Sequence, residues 1–229
     1  MGKRNVVIKR MFKKEKPNTG DVLDLNKIYS EKCVRTIGFQ KVPAYIRDII
    51  RDKKIKKILD LGCGEGILVH AIKGEFPDIE ITGIDISPTK INNLKGKFLK
   101  DNFFERDVCD TGLKDNSFEL INCSQVVEHV ESEKKLIGEM KRLLKKDGIL
   151  LVDSVVKKPF AISKWRRNGK FVLDPTHERE YESKKEFLEL FRKEFRLIKS
   201  WMEPFRSKSF FIKIRIPGYY KVHGIWVKK

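Results

Sequence analysis

Residues 58–66 read ILDLGCGEG, and no other stretch restricts the fold as much. An apolar run carrying one acid, Asp60, stops at three alternating glycines, Gly62, Gly64 and Gly66. That pattern predicts a buried strand ending in a tight loop. Residues 67–72 (ILVHAI) suit a helix. The loop therefore lies between a strand's C-terminal end and a helix N-terminus, where open α/β sheets bind ligands. Glycine serves there because it tolerates positive φ and lets a ligand approach the backbone closely.

The dinucleotide fingerprint is G-x-G-x-x-G, with its third glycine packing helix against sheet. Here the spacing is G-x-G-x-G, which disfavours a nicotinamide dehydrogenase. A second acid, Asp85, follows the apolar run 79–84, about twenty residues past the glycines, where a carboxylate can accept ribose hydroxyls. The D-x-G-x-G-x-G stretch resembles motif I of the class I S-adenosylmethionine-dependent methyltransferases. The resemblance covers roughly residues 42–211. It implies an α/β, Rossmann-like methyltransferase fold: a mostly parallel seven-stranded sheet with helices on both faces.

The rest of the chain reads in register with that family. Val42, Tyr45, Ile46, Ile49 and Ile50 recur at helical spacing, with Pro43 in a first-turn position. Strand one is expected at 57–61, its helix running to Lys73 with Gly74 as C-cap, and strand two at 79–84. Ser87-Pro88 then opens a helix. Residues 102–107 (NFFERD) read as a third strand ending in Asp107, and 118–123 as a fourth. A helix over 131–146 ends at Gly148, and strand five is 149–152. Residues 155–181 form a long connection of the kind that serves as a lid or binding loop. Ser183 to Glu186 is a capping box. Runs at 197–202 and 210–216 read as closing strands, and 220–227 as a last strand or a basic tail. Residues 1–20 read as a basic flexible arm, and 21–229 as one domain.

What the resemblance implies about the site follows residue by residue. Asp60, Gly62, Cys63, Gly64 and Gly66 form the cofactor loop, Asp85 and Ile86 meet the ribose, and Asp107 and Val108 meet the adenine. Ser124 and Gln125 pass beside the methionine moiety. The segment Glu128-His129-Val130 is common in the quinone-biosynthesis-like subgroup, as is a stretch similar to residues 174–181 (DPTHEREY), placed near the substrate mouth.

Methyl transfer from a sulfonium is a direct displacement, so the protein chiefly aligns the reactants. A hydroxyl nucleophile benefits from a base. His129 and His177 are the candidate bases, since imidazole titrates near neutrality; Tyr29, Tyr45 and Arg179 are further candidates for the pocket. Packing roles for these residues stay open. Small-RNA 3′-end methyltransferases hold magnesium with a Glu-x-x-Glu-His segment and a later histidine. Here Gln125 replaces the first carboxylate, a departure at a ligand position, so no metal is expected.

The expected function is methyl transfer to an oxygen of a small-molecule, lipid or sugar acceptor. Two alternatives stand beside it: ribose 2′-O-methylation of RNA, and a non-catalytic S-adenosylmethionine-binding protein. The RNA alternative rests on charge. Lys and Arg number 50 against 32 acids, giving +18, and no acid occurs from Pro204 to Lys229. Such a balance suits an anionic partner or a lysine-coated thermophilic surface. The segment after strand four is Cys-Ser-Gln-Val, unlike the Asn/Asp-Pro-Pro-Tyr of base amino-methyltransferases. The four cysteines form no C-x-x-C pair and read as reduced thiols. No run approaches the roughly 20 apolar residues of a membrane span, and the basic N-terminus lacks an apolar signal core, so the expected location is the cytoplasm.

Overall fold

The computed structural model describes residues 41–161, 165–167, 170–209 and 212–229. The basic arm, Tyr29 and Cys33 lie outside the described residues. No helix among the described residues is long and apolar enough to cross a membrane.

The strands are β1 (Lys57–Leu61), β2 (Glu80–Asp85), β3 (Asn102–Glu105), β4 (Phe118–Ser124), β5 (Leu144–Lys157), β6 (Trp165–Arg167), β7 (Lys170–Val172), β8 (Phe195–Ser209) and β9 (Ile212–Lys228). Seven of them form one sheet in the order β3-β2-β1-β4-β5-β9-β8, while β6 and β7 form a separate hairpin. β1 to β5 pair in parallel, and β9 runs antiparallel to both β5 and β8. The chain order reverses between β1 and β4. The loops after those two strands therefore diverge and leave a crevice, the usual ligand site of such sheets.

Five helices among the described residues cover the sheet: α1 (Ala44–Asp52), α2 (Ile67–Glu75), α3 (Pro88–Lys97), α4 (Glu133–Leu143) and α5 (Lys184–Glu189). Central parallel strands are buried on both faces and so read as continuous apolar runs. In β1, Ile58, Leu59 and Leu61 have no exposure. Leu59 and Leu61 pack with Leu136 and Met140 of α4 and Phe187 of α5. Ile58 faces the other way, with Ile46 and Ile50 of α1, Val69 and Ile72 of α2, and Ile91 and Leu94 of α3. Helices on both faces match the expected fold class.

Several expected boundaries move, each for a local reason. Pro43 is the N-cap of α1 rather than a helical residue. Gly74 lies inside α2, because the Phe76 amide still bonds to the Ile72 carbonyl. β3 stops at Glu105, and Asp107 instead accepts the Cys109 amide in a turn. α4 spans Glu133–Leu143, shorter than 131–146, because Leu144 turns extended and pairs with Phe118 of β4. Gly148 then falls within β5, which extends past 152 as far as Lys157. The long connection is correspondingly shorter and contains the β6–β7 hairpin. Ser183 caps α5 through the Glu186 amide, but the Glu186 carboxylate reaches the Glu182 amide instead of closing the box. The late runs merge into two long strands, so 220–227 is part of β9 rather than a tail.

Candidate active site

A cavity of about 400 Å³ opens at the crevice between β1 and β4. Its walls come from four loops. Gly62 and Gly64 follow β1, Asp85 and Ile86 follow β2, Asp107 and Val108 follow β3, and Gln125, Val126 and His129 follow β4. The glycines hold positive φ, Gly62 at 72° and Gly64 at 52°. A Cβ on Gly62 would lie 2.3 Å from a Val126 methyl, so the two loops close on one another only because that side chain is missing.

Asp85 braces the glycine loop. One carboxylate oxygen accepts the Gly64 amide at 2.8 Å, and the other accepts the Ser87 amide at 2.9 Å. Ile86 beside it is 46% exposed, an apolar wall open to the cavity. Lys90, Arg106 and Lys135 also line the cavity, and none had a sequence signal beyond ordinary surface charge. Cys109 lines it too; burial first, then Asp107, pushes its thiol up to about 11, so it stays protonated.

Four of the predicted cofactor residues sit around the cavity without appearing in its wall. Asp60 is buried and accepts a hydrogen bond from Asn122 Nδ2 at 2.7 Å. Burial raises its carboxyl to about 6, Asn122 opposes that rise, and Asp85 and Asp153 add to it. Gly66 is the N-cap of α2 at φ 72°. Cys63 is buried, and burial holds its thiol well above its ordinary range. Ser124 donates to Asp153 at 2.8 Å.

Gln125 adopts φ 57°, an uncommon conformation outside glycine. Asp153 at β5 holds it there: its carbonyl accepts the Gln125 amide at 3.2 Å, and its carboxylate accepts the Gln125 side chain at 3.0 Å. Asp153 also pairs with Lys221 at 3.1 Å. This left-handed residue turns the chain from β4 towards His129.

His129 lines the cavity and His177 stands behind it. The rings meet edge to face, 4.8 Å apart. The stretch after β7 brings them together. Amides of Glu178 and Arg179 bond to the Glu128 carbonyl, Arg179 donates to the carbonyls of Val130 and Glu131, and the Tyr181 hydroxyl donates to Glu133 at 2.5 Å. Residues 174–181 are thereby strapped across the segment leading into α4. Tyr45, by contrast, packs edge-on against Trp201 at 5.0 Å and is not in the cavity wall.

Partners fix the tautomers. Thr176 gives its hydroxyl proton to Asp174 at 2.6 Å, so both Thr176 oxygens, each 3.1 Å from His129 Nδ1, act as acceptors. His129 Nδ1 accordingly carries a proton. His177 Nδ1 is 2.7 Å from the Glu180 carboxylate and carries one as well. Whenever either ring is neutral, Nε2 is then its basic nitrogen.

As a functional side chain, Glu128 enters the sequence reading only as the second carboxylate of the Glu-x-x-Glu-His comparison, set aside there because Gln125 replaces the first. It has no exposure, and burial raises its carboxyl to about 7 against the influence of His177 and Ser154. Ser154 donates to Oε2 at 2.7 Å, while Oε1 has no hydrogen-bond partner among the described residues.

Residues 52–203 match the model of a family described as "Methyltransferase domain". Among curated proteins, the chain is 33% identical over 111 residues to the "Ubiquinone/menaquinone biosynthesis C-methyltransferase UbiE" of Campylobacter jejuni subsp. jejuni serotype O:23/36, covering 46% of this chain and 47% of that protein. It is 31% identical over 125 residues to the "Ubiquinone biosynthesis O-methyltransferase" of Glaesserella parasuis serovar 5, covering 49% and 50%. The chain spans about half the length of the curated relatives it matches. Among solved structures, the MccD protein superposes with a TM-score of 0.62 at 18% identity, covering 81% of this chain and 97% of that one. An S-adenosylmethionine-dependent methyltransferase from Methanosarcina mazei gives 0.62 at 16% identity, covering 82% and 99%. At such identities the structural likeness concerns the fold.

Proposed function

The chain belongs to the methyltransferase-domain family, whose cofactor is S-adenosylmethionine, and from that premise we propose that it transfers a methyl group to an oxygen of a hydroxylated small molecule. The observation that carries this reading is the continuity of one cavity from Asp85 and Asp107 at one end to Gln125 and His129 at the other.

The residues present fit the cofactor. Asp85 keeps lone pairs beyond its two amide bonds, and these suit ribose hydroxyls. Ile86 and Val108 offer apolar surface to a base, with the Asp107 carboxylate beside them for an exocyclic amine. Side-chain-free Gly62 and Gly64 leave the loop backbone open to close approach. When bound, S-adenosylmethionine supplies an electrophilic methyl whose bonding pair leaves with sulfur as the acceptor's oxygen forms its bond to carbon.

Gln125 and His129 stand where the acceptor would meet that methyl group. His129 offers Nε2, the ring nitrogen that can hold the acceptor's hydroxyl proton or steer its oxygen. The strap at 174–181 fixes the ring and so limits the geometries the acceptor can adopt.

A second reading keeps the site and moves the methyl group to carbon. The Campylobacter relative is named a C-methyltransferase and the Glaesserella relative an O-methyltransferase, both of ubiquinone biosynthesis. Removing a proton from an aromatic hydroxyl activates its oxygen and the neighbouring ring carbon alike, so one base serves either outcome.

The test is calorimetry of S-adenosylmethionine with wild type and Asp85→Ala, followed by transfer of radiolabelled methyl into hydroxylated aromatic acceptors, with RNA as a parallel substrate. Cofactor binding that Asp85→Ala weakens, with label recovered on oxygen, supports the proposal. Label in RNA alone, or no cofactor binding by folded protein, overturns it.

A further inference from the structure

We propose that the rim of the sheet beside the cavity mouth is a docking surface for an anionic lipid bilayer. It is built from the turn at 158–161, the β6–β7 hairpin and the outer ends of β8 and β9. All of these start at the carboxyl end of the parallel strands, where the cavity loops also emerge. The chain leaves β5 at Lys157, forms the hairpin and then enters the strap that fixes His129. The outer ribbon is the part of β8 and β9 that continues past the last β5 pairing, Lys157 with Tyr219. The turn and the ribbon meet at Gly218. The Lys158 amide donates to its carbonyl at 2.8 Å, and a Cβ on Gly218, at φ 78°, would lie 2.5 Å from the Ala161 Cα.

Charge is distributed differently here from the rest of the chain. Residues 154–173 and 204–218 hold ten of the 50 basic residues and none of the 32 acids. A surface coated evenly with lysine would have acids among them. Strand register sharpens the contrast. Within the sheet, β8 and β9 set Glu203 opposite Lys221; past Pro204 they set Arg206 opposite Arg215 and Lys208 opposite Lys213. In the hairpin, Arg167 is opposite Lys170. Opposed positions share one face of a ribbon, and like charges placed so destabilise the pairing. Fold stability gives no reason for three such pairs along one rim. A layer of phosphates outside the protein does.

Apolar residues at the same place select the bilayer. β9 opens with Ile212-Lys213-Ile214-Arg215-Ile216, and its period of two puts the isoleucine positions on the face opposite the bases. Phe160, in the turn that packs on Gly218, is 69% exposed. Aliphatic and aromatic residues interleaved with bases suit the boundary between headgroups and acyl chains. A nucleic acid uses such a surface poorly: its phosphates need only the charge, and its bases stack on aromatic rings rather than on isoleucine. Docking brings the cavity mouth to the layer in which an apolar hydroxylated acceptor dissolves. That consequence rests on the reading above, whereas the docking itself does not.

Co-sedimentation of the full chain with lipid vesicles tests the surface. Vesicles of phosphatidylcholine with phosphatidylglycerol should pellet the protein at low salt, vesicles of phosphatidylcholine alone should not, and high salt should weaken the binding. Arg206→Gln together with Arg215→Gln should lower affinity for the anionic vesicles about 25-fold, at roughly fivefold per basic residue. Phe160→Ser should lower it about tenfold and leave its salt dependence unchanged. Lys95→Gln with Lys97→Gln makes the same charge change in the last turn of α3, away from the rim, and should leave affinity as it is. Thermal unfolding of each variant controls for folding. Equal losses from the two double variants would reduce the effect to net charge and overturn the surface. So would binding indifferent to phosphatidylglycerol, no vesicle binding, or a preference for single-stranded RNA in competition with anionic vesicles. Vesicle binding by a protein that takes up no S-adenosylmethionine would overturn the enzyme reading and leave the docking surface standing; cofactor binding without vesicle binding would do the reverse.

Discussion

The carboxylate of Asp85 holds the amide of Gly64 at 2.8 Å, so the acid at the end of β2 shapes the glycine loop at the end of β1. Its second oxygen holds Ser87, the N-cap of α3. One side chain thus sets two loops and also borders the cavity.

Asp85→Asn keeps one acceptor oxygen, whereas Asp85→Ala keeps none. Calorimetry should find S-adenosylmethionine affinity down about tenfold for Asn and about a hundredfold for Ala, in line with roughly 1.4 kcal/mol per tenfold step. Equal affinity across the three proteins would remove Asp85 from the site.

Asp60 gives a pH-dependent test. Burial raises its carboxyl from 3.8 to about 6 in the folded chain. The folded state therefore holds this proton more tightly than the unfolded state. Its contribution to stability falls as pH climbs between those two values, and the full penalty stands above the higher one. Asp60→Asn keeps an acceptor for Asn122 and cannot ionise. Urea unfolding should show it more stable than wild type by on the order of 2 kcal/mol near neutral pH, with the gap closing towards about pH 4. A gap that does not vary with pH would contradict this account.

Gly66→Ala and Gly138→Ala should have opposite signs. Gly66 sits at φ 72°, and an added Cβ would lie 2.4 Å from a Leu94 methyl, so thermal unfolding should register a loss of about 1–3 kcal/mol. Gly138 lies mid-helix in α4 with nothing within 4 Å of its Cβ, so alanine there should gain about 0.5–1 kcal/mol. Matching signs would mean that left-handed φ is not what Gly66 supplies.

The parallel half of the sheet was legible because each strand carried its own punctuation. Gly62 closed β1, Asp85 closed β2, and Ser87-Pro88 opened α3. In the antiparallel half, 197–202 and 220–227 read as strands, but their extent did not, since β8 and β9 are long paired strands whose bulges break the alternation. At the site, the cofactor end could be read because one loop and two acids recur at fixed spacing. The other end depends on residues 48 positions apart meeting, as His129 and His177 do. No local pattern announces that the chain after β7 will fold back onto the Glu128 carbonyl. The burial of Glu128 had no local signal either, because its neighbours Ser154 and His177 are distant in sequence.

Tyr181→Phe should loosen the strap. It removes the hydroxyl donated to Glu133 while keeping the ring against Phe187. Stability should drop by about 1 kcal/mol, and limited proteolysis within residues 158–180 should accelerate. Cleavage at the wild-type rate would mean that the backbone bonds to Glu128 suffice to hold the strap.

The position of β9 between β5 and β8 has a consequence for how the chain is made. On the ribosome, β5 is complete at Lys157, long before β9 begins at Ile212. Until then its outer edge, bearing Ile149, Leu151 and Val155, has no partner and is open to any other extended chain. β8 waits beside no strand at all. The nascent protein therefore passes through a stage in which its own last long strand is what protects it from aggregation, and a chain stopped before Ile212 would remain at that stage.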